Sequence, residues 1–182
     1  FVIGTSRPET KFGDKYVVMH PDDKRYAKYQ PGEKINLEWI NGPITATIIK
    51  DEAVDMTFGS GVMTITPAHD SVDFGIAERH QLDSEPVIDK RGKLLPIAGE
   101  FAGLKIAEAR PKIVEKLKAK GLLDKVEENY KHNVQLCYKC GTIVEPRILP
   151  QWFIAVNKKG AQSGKTLAKD AIEAVKKGKV KF

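Results

Sequence analysis

The 182-residue chain has no long apolar run; its apolar stretches span a few residues, against the ~20 that a membrane-crossing helix needs. No membrane is therefore expected among its partners. Cysteine is scarce: Cys137 and Cys140 are the two in the chain, too few for a disulfide framework and suited to a reducing, cytoplasmic setting. A secretory signal is not visible. An initiator Met is missing as well, and the opening Phe1-Val2-Ile3-Gly4 reads like the middle of a β-strand, so both ends are expected to continue in a longer chain. Internal repeats and low-complexity tracts are absent. With 41% hydrophobic and 30% charged residues, the composition is that of an ordinary folded domain and excludes a disordered chain.

Charge is unevenly spread. Residues 1–130 hold 19 Lys/Arg against 21 Asp/Glu, and residues 131–182 hold 11 against 3, a net −2 followed by +8. The division expected is a body over 1–130 and a basic ribbon and helix over 131–182. A basic tail fits a polyanion lying along it; charge alone fits a solvated basic helix equally well.

Short segments rich in β-branched and aromatic residues fill the first third: Phe1–Gly4, Tyr16–Met19, Ile35–Ile40, Ile44–Ile49 and Val62–Thr66. Gly, Pro, Asn and Asp punctuate them, as at Asn41-Gly42-Pro43. Such spacing predicts a mainly β, barrel-like fold with peripheral α-helices. A helix is expected to start after Asp70, an N-cap, and to stop by His80–Leu82, with Asp73 at its third position beside the positive end. A second helix is expected from Ala107 or Arg110 to Lys120, ended by Gly121, with Pro111 in its first turn or kinking it. A third spans about Lys165–Lys177, and Leu136–Phe153 reads as a ribbon carrying the cysteines.

The chemistry concentrates in Thr64-Ile65-Thr66-Pro67-Ala68-His69-Asp70-Ser71-Val72-Asp73-Phe74. Thr64 and Thr66 share one face of a strand, Pro67 ends it, and Asp70 and Asp73 lie on one side of the following helix. Hydroxyls on a wall and carboxylates at its mouth suit a ligand with a cationic amine and a hydroxyl; the same residues also read as a plain helix cap. Upstream, Thr5-Ser6-Arg7-Pro8-Glu9-Thr10 crowds hydroxyls, a guanidinium and a carboxylate into six residues. Arg suits paired hydrogen bonds to phosphate or carboxylate. Taken alone, this is an ordinary polar loop.

Together, "TSRPET" and "GSGVMTITPAHDSVDF" resemble the paired signature of the editing insertion in class I aminoacyl-tRNA synthetases of the valine type. There the first motif usually reads T-T-R-P-E-T and the second G-T-G-x-x-K-I-T-P-A-H-D-x-x-D-[FY]. The resemblance runs on through "HPDDKRY" at His20–Tyr26, "DEAVD" at Asp51–Asp55, "ERHQL" at Glu78–Leu82, "FAGLKIAEAR" from Phe101, "CYKCGTIVEPRILPQWF" from Cys137 and "AIEAVKKGKVKF" at the end. Glu9, the Ile65-Thr66-Pro67 run and "HPDD" favour the valine type over the related isoleucine and leucine insertions. Ser6 and Ser60 stand where the motifs usually have Thr, and one departure matters more: where the family usually has Lys, two residues before Thr66, this chain has Thr64.

The resemblance implies hydrolysis of threonine wrongly esterified to tRNA(Val). A hydrophobic synthetic pocket cannot strongly exclude that hydroxyl isostere, the valine–threonine pair being the worked case from which the rule is drawn. It implies Thr66, Asp70 and Asp73 as the catalytic set, with Asp70 on the substrate ammonium and Asp73 or Thr66 on its hydroxyl. Arg7 would hold the terminal adenosine or its phosphate, with Thr5, Ser6, Glu9 and Thr64 completing the substrate-binding set. No nucleophile–base pair stands out; His69 reads as a packing residue, and a positioned water is the expected nucleophile. Partners are the tRNA(Val) acceptor end and the rest of the synthetase chain. No cofactor is expected here, ATP and Mg belonging to the parent, since H-I-G-H and K-M-S-K-S are absent. Cys137-x-x-Cys140 is half of a tetrahedral zinc site; no metal is expected, zinc there being the lesser reading. The alternatives are an editing-inactive tRNA-docking module, or editing of leucyl or isoleucyl type.

Overall fold

The computed structural model describes residues 1–159, 164 and 166–180. The chain divides into two compact units, Phe1–Ile148 and Leu149–Phe182. The first is built on four strands: β1 Tyr16–Met19, β2 Lys34–Trp39, β3 Gly42–Lys50 and β4 Val62–Thr64. Their order is β2-β3-β1-β4. β1 lies parallel to β3, with Val18 opposite Ile49, and antiparallel to β4, with Val17 opposite Thr64. β2 and β3 form a hairpin closed at the pair Trp39 and Gly42, so Ile40-Asn41 makes the tight turn, one residue earlier than the Asn41-Gly42-Pro43 signal; Gly42 opens β3 at φ 126°, open to glycine.

The strands form an open mixed sheet, and the chain is not mainly β. Strands hold 4, 6, 9 and 3 residues, whereas the helices α1 Ser71–His80, α2 Ile106–Ala119 and α3 Leu167–Lys176 hold 10, 14 and 10. Nor are the first two helices peripheral. A sheet this small cannot bury its own faces, and its alternating side chains need cover. On one face Val17 and Met19 pack with Ala46, Ile48 and Val62; on the other Val18 and Ile49 pack with Ile65 and with Ile76 of α1. A separate cluster joins Ile40, Val87, Ile88, Leu94 and Phe101 to Ala109 and Ile113 of α2.

Phe1–Gly4 is not a strand. No neighbouring edge pairs with it; the Phe1 ring instead sits 5.1 Å from that of Tyr29 and 6.1 Å from that of Tyr26. α1 starts and stops as expected, ending where Gln81 turns left-handed at φ 53°. α2 begins at Ile106, ahead of the expected start, which places Pro111 in its second turn at the loss of one backbone hydrogen bond.

In the second unit, the Thr166 hydroxyl caps α3 by accepting the Lys169 N–H at 3.1 Å, and Gly178 follows its end at φ 67°. Lys165, given as the start of this helix, and Lys181 and Phe182, in the final resemblance motif, lie outside the described residues. Among the described residues no helix is long and apolar enough to cross a membrane.

Candidate functional site

Thr66 is the junction between the two motif segments. β4 ends at Thr64, short of the expected Thr66, Pro67 turns the chain toward α1, and the 3-10 turn at Pro8–Gly13 meets that bend at the Thr10 carbonyl. The Thr66 N–H donates to Asp73 Oδ2 at 2.8 Å, and its hydroxyl donates to Asp14 Oδ1 at 3.0 Å, with the Thr10 carbonyl at 3.3 Å. Gly13 permits this approach: a Cβ there would stand 2.8 Å from Val87 Cγ2 and 3.0 Å from Thr66 Cγ2.

Asp70 ends the extended stretch as the N-cap of α1. Its Oδ1 accepts the N–H groups of Val72 at 2.7 Å and Asp73 at 3.1 Å, two of the donors a helix start leaves free. Asp70 is exposed; Asp73, one turn on, is buried. Burial pushes the Asp73 carboxyl up to about 6, the Thr66 N–H pulling against it and the Asp70 charge adding to it. Asp14 is raised too, again by burial, with the Lys11 ammonium opposing, and its Oδ2 makes no hydrogen bond among the described residues.

Arg7 is held at all three nitrogens of its guanidinium. Its Nε donates to Glu9 Oε1 at 3.2 Å, one terminal nitrogen donates to the His69 carbonyl at 2.9 Å, and the other donates to Glu145 Oε1. Glu9 is completely buried and receives Arg110 through two bonds of 2.8 Å. This fork-to-fork pair satisfies both oxygens of an anion that water cannot reach. Burial works to raise the Glu145 carboxyl, but its hydrogen bonds to His69 and Arg7 outweigh that and lower it.

His69, also buried, accepts the backbone N–H groups of Val87 at 2.8 Å and Ile88 at 3.2 Å at Nε2. That assigns the ring proton to Nδ1, which points at the Pro146 carbonyl and Glu145, each 3.4 Å away. With its lone pair taken by two backbone donors, His69 is a bracket between loops and not a general base.

The structure therefore gathers Thr64, Thr66 and Asp73 into one buried network, and Arg7 and Glu9 into an ionic chain touching the same bend. Thr64, Thr66 and Asp73 are 4%, 2% and 7% exposed. Thr5 and Ser6 stand exposed beside them, the Thr5 hydroxyl oxygen accepting the Arg7 N–H at 3.0 Å. Four participants were not singled out from sequence: Lys11, Asp14, Arg110 and Glu145. Asp14 and Lys11 lie just past the first motif and could have been sought there; Arg110 and Glu145 come from 101 and 138 residues away and carry no local signal. A cleft of about 220 Å³ opens beside β4, lined by Val54, Asp55, Phe58, Val62 and Met63 among others. A larger recess, about 610 Å³, is ringed by residues 126–131 and contains none of the candidate residues.

The chain matches no family model. It is 46% identical over 180 residues to the valine–tRNA ligase of Carboxydothermus hydrogenoformans, covering 99% of this chain and 19% of that protein. Against the valine–tRNA ligase of Campylobacter jejuni it is 44% identical over 184 residues, covering 100% and 19%. Against that of Thermotoga maritima it is 40% identical over 181 residues, covering 100% and 20%. The chain belongs to the valine–tRNA ligase family. It spans about a fifth of the length of the relatives it matches.

Relative to the family's usual second motif, Thr64 is the departure within the buried network, and its hydroxyl and carbonyl both receive the Lys11 ammonium, at 3.2 and 3.1 Å. Downstream, Cys137 and Cys140 are free thiols on a tight turn in which Gly141 N–H returns to the Cys137 carbonyl at 2.8 Å. His132 stacks on Tyr130 with centroids 5.8 Å apart. No group of three or more His, Cys, Asp or Glu able to hold a metal occurs among the described residues.

Proposed function

We propose that this chain is the editing domain of a valine–tRNA ligase and hydrolyses the ester of threonyl-tRNA(Val), while the parent enzyme charges tRNA(Val) with valine using ATP and Mg in the cytoplasm. One observation supports it most: Thr66 is hydrogen-bonded both to the helix carrying the two aspartates and to the segment that follows the Arg7 motif. In this reading the four strands, with the bridges Ile88↔Leu94 and Lys93↔Lys105, make up the barrel-like body of the editing fold.

The chemistry is attack of water on the ester carbonyl, expulsion of the ribose oxygen, and proton transfer to that oxygen. No side chain here is a ready base, so rate comes from holding the ester and the water in register and from charge placed around the developing oxyanion. Asp70, exposed and with Oδ2 free of hydrogen bonds among the described residues, receives the substrate ammonium. The Thr66–Asp73 pair meets the threonine hydroxyl. Valine offers a methyl there and leaves a polar group unmatched, which costs about 1–3 kcal/mol. Arg7, held once at each nitrogen and partly exposed, takes the terminal adenosine phosphate on its remaining terminal N–H groups or by exchanging Glu145 for it.

Deacylation of threonyl-, isoleucyl- and valyl-tRNA(Val) tests the reading. Threonine should be released selectively, and Asp70→Ala should abolish release while costing about 1 kcal/mol of helix capping. Full activity in Asp70→Ala would remove the assigned site. The depth of Thr64, Thr66 and Asp73 favours a second reading, a tRNA-docking module without hydrolysis, with its charge on residues 131–182. Steeply salt-dependent tRNA binding with no deacylation would establish that one instead.

A further inference from the structure

Resting on the editing reading, we propose that Lys11 is a positioning residue of the hydrolytic site, delivering from the 3-10 turn the ammonium that the family's motif carries on the strand at position 64. The Lys11 side chain is only 12% exposed, and its Nζ lies 3.1 Å from the Thr64 carbonyl, 3.2 Å from Thr64 Oγ1 and 3.4 Å from Asp14 Oδ1. Those three acceptors match the three N–H bonds of an ammonium. The charge is therefore pinned on β4 itself, at the residue where the departure occurs. The backbone holds it there: the Lys11 carbonyl accepts the Trp39 indole N–H at 2.7 Å, and the turn closes with the Asp14 N–H on the same carbonyl.

From that position the ammonium acts on the site through its neighbours. Asp14 Oδ1 is shared between Lys11 and the Thr66 hydroxyl, so the Lys11 charge opposes the burial that raises the Asp14 carboxyl and strengthens Oδ1 as the acceptor that orients the Thr66 hydroxyl. The charge of Lys11 also favours the ionised form of Asp73. Without it, two buried acids face one another and Asp70 with no cation in the network, and burial drives protons onto them. A proton on Asp14 lets the Thr66 hydroxyl rotate away, and the group meant to meet the substrate is no longer preset.

The test is relocation of the charge in the full-length enzyme carrying this segment, reading threonyl-tRNA(Val) deacylation. Lys11→Met should lower kcat about tenfold or more with KM nearly unchanged, as expected for lost alignment. Lys11→Met with Thr64→Lys should return kcat to within about threefold of wild type, which repair of packing alone would not do. If Lys11→Met does not fold, the double variant still decides: recovery of deacylation supports the proposal, and a folded but inactive or an unfolded double variant overturns it. Lys11→Met with wild-type kcat also overturns it. A wild-type enzyme that leaves threonyl-tRNA(Val) intact is a different failure, that of the editing reading itself.

Discussion

Gly13→Ala isolates the packing that brings the two motif segments together. Gly13 does not occupy the left-handed region, so its backbone suits alanine, and the loss of chain freedom in the unfolded state alone would stabilise the variant by about 0.4–1 kcal/mol. The new methyl, however, stands 2.8 Å from Val87 Cγ2 and 3.0 Å from Thr66 Cγ2. Both neighbours are β-branched and buried, at 0% and 2% exposure, so neither can swing aside without disturbing the core. Overpacking of this kind costs about 1–3 kcal/mol, so against that gain the net runs from about zero to a destabilisation of about 2.6 kcal/mol. For a chain of this size each kcal/mol moves Tm by about 2–4 °C, so Tm of the 182-residue chain should fall by up to roughly 10 °C. Because the displaced methyl belongs to Thr66, deacylation should drop as well. A higher Tm with undiminished deacylation would show that the turn does not press on Thr66, and the close approach at the centre of the site would be refuted.

Three further outcomes follow from the same geometry. Arg110→Met leaves the buried Glu9 carboxylate with Arg7 alone and should destabilise by about 2–4 kcal/mol, whereas Glu9→Met leaves two guanidiniums that water can reach and should cost less; denaturant unfolding that ranks them the other way contradicts the ionic chain. Asp73, raised to about 6 from 3.8, binds its proton more tightly folded than unfolded, so its contribution is full below pH 3.8 and disappears as pH rises through 6. That contribution is on the order of 3 kcal/mol, and Asp73→Asn should flatten the stability profile between about pH 4 and 6; an unaltered slope there would exclude the buried acid as its source. Asp51, lowered to about 2 by Arg79, acts in the opposite sense, its contribution being present above 3.8 and fading as pH falls toward 2, so Asp51→Asn should lose the acid-side decline but not the one near pH 6.

What the sequence made legible was local. β1 falls on Tyr16–Met19 as its apolar run indicates, and Asp70 caps α1 with Asp73 at the third position, because short-range hydrogen bonds and side-chain periodicity decide these. Phe1–Gly4 has the same β-rich composition and is not a strand, since strand formation needs a partner edge and Phe1 packs on tyrosines instead. The order of strands in the sheet was equally out of reach, being set by which distant strands pair. In the site, the motif resemblance pointed to Thr66, Asp70, Asp73 and Arg7, but not to how Arg7 and Glu9 are held. Their partners Glu145 and Arg110 arrive through tertiary contact from the cysteine-bearing ribbon and from α2. Nor did spacing along the chain show that an ammonium would reach Thr64 from Lys11, across from the 3-10 turn.

The most direct measurement is the rate at which the wild-type enzyme containing this segment frees threonine and valine from tRNA(Val), each charged in a separate preparation. A site whose buried hydroxyl partner is matched by threonine and left unsatisfied by valine predicts threonine released faster by at least about tenfold. Equal rates for the two, or no release of either, would contradict it.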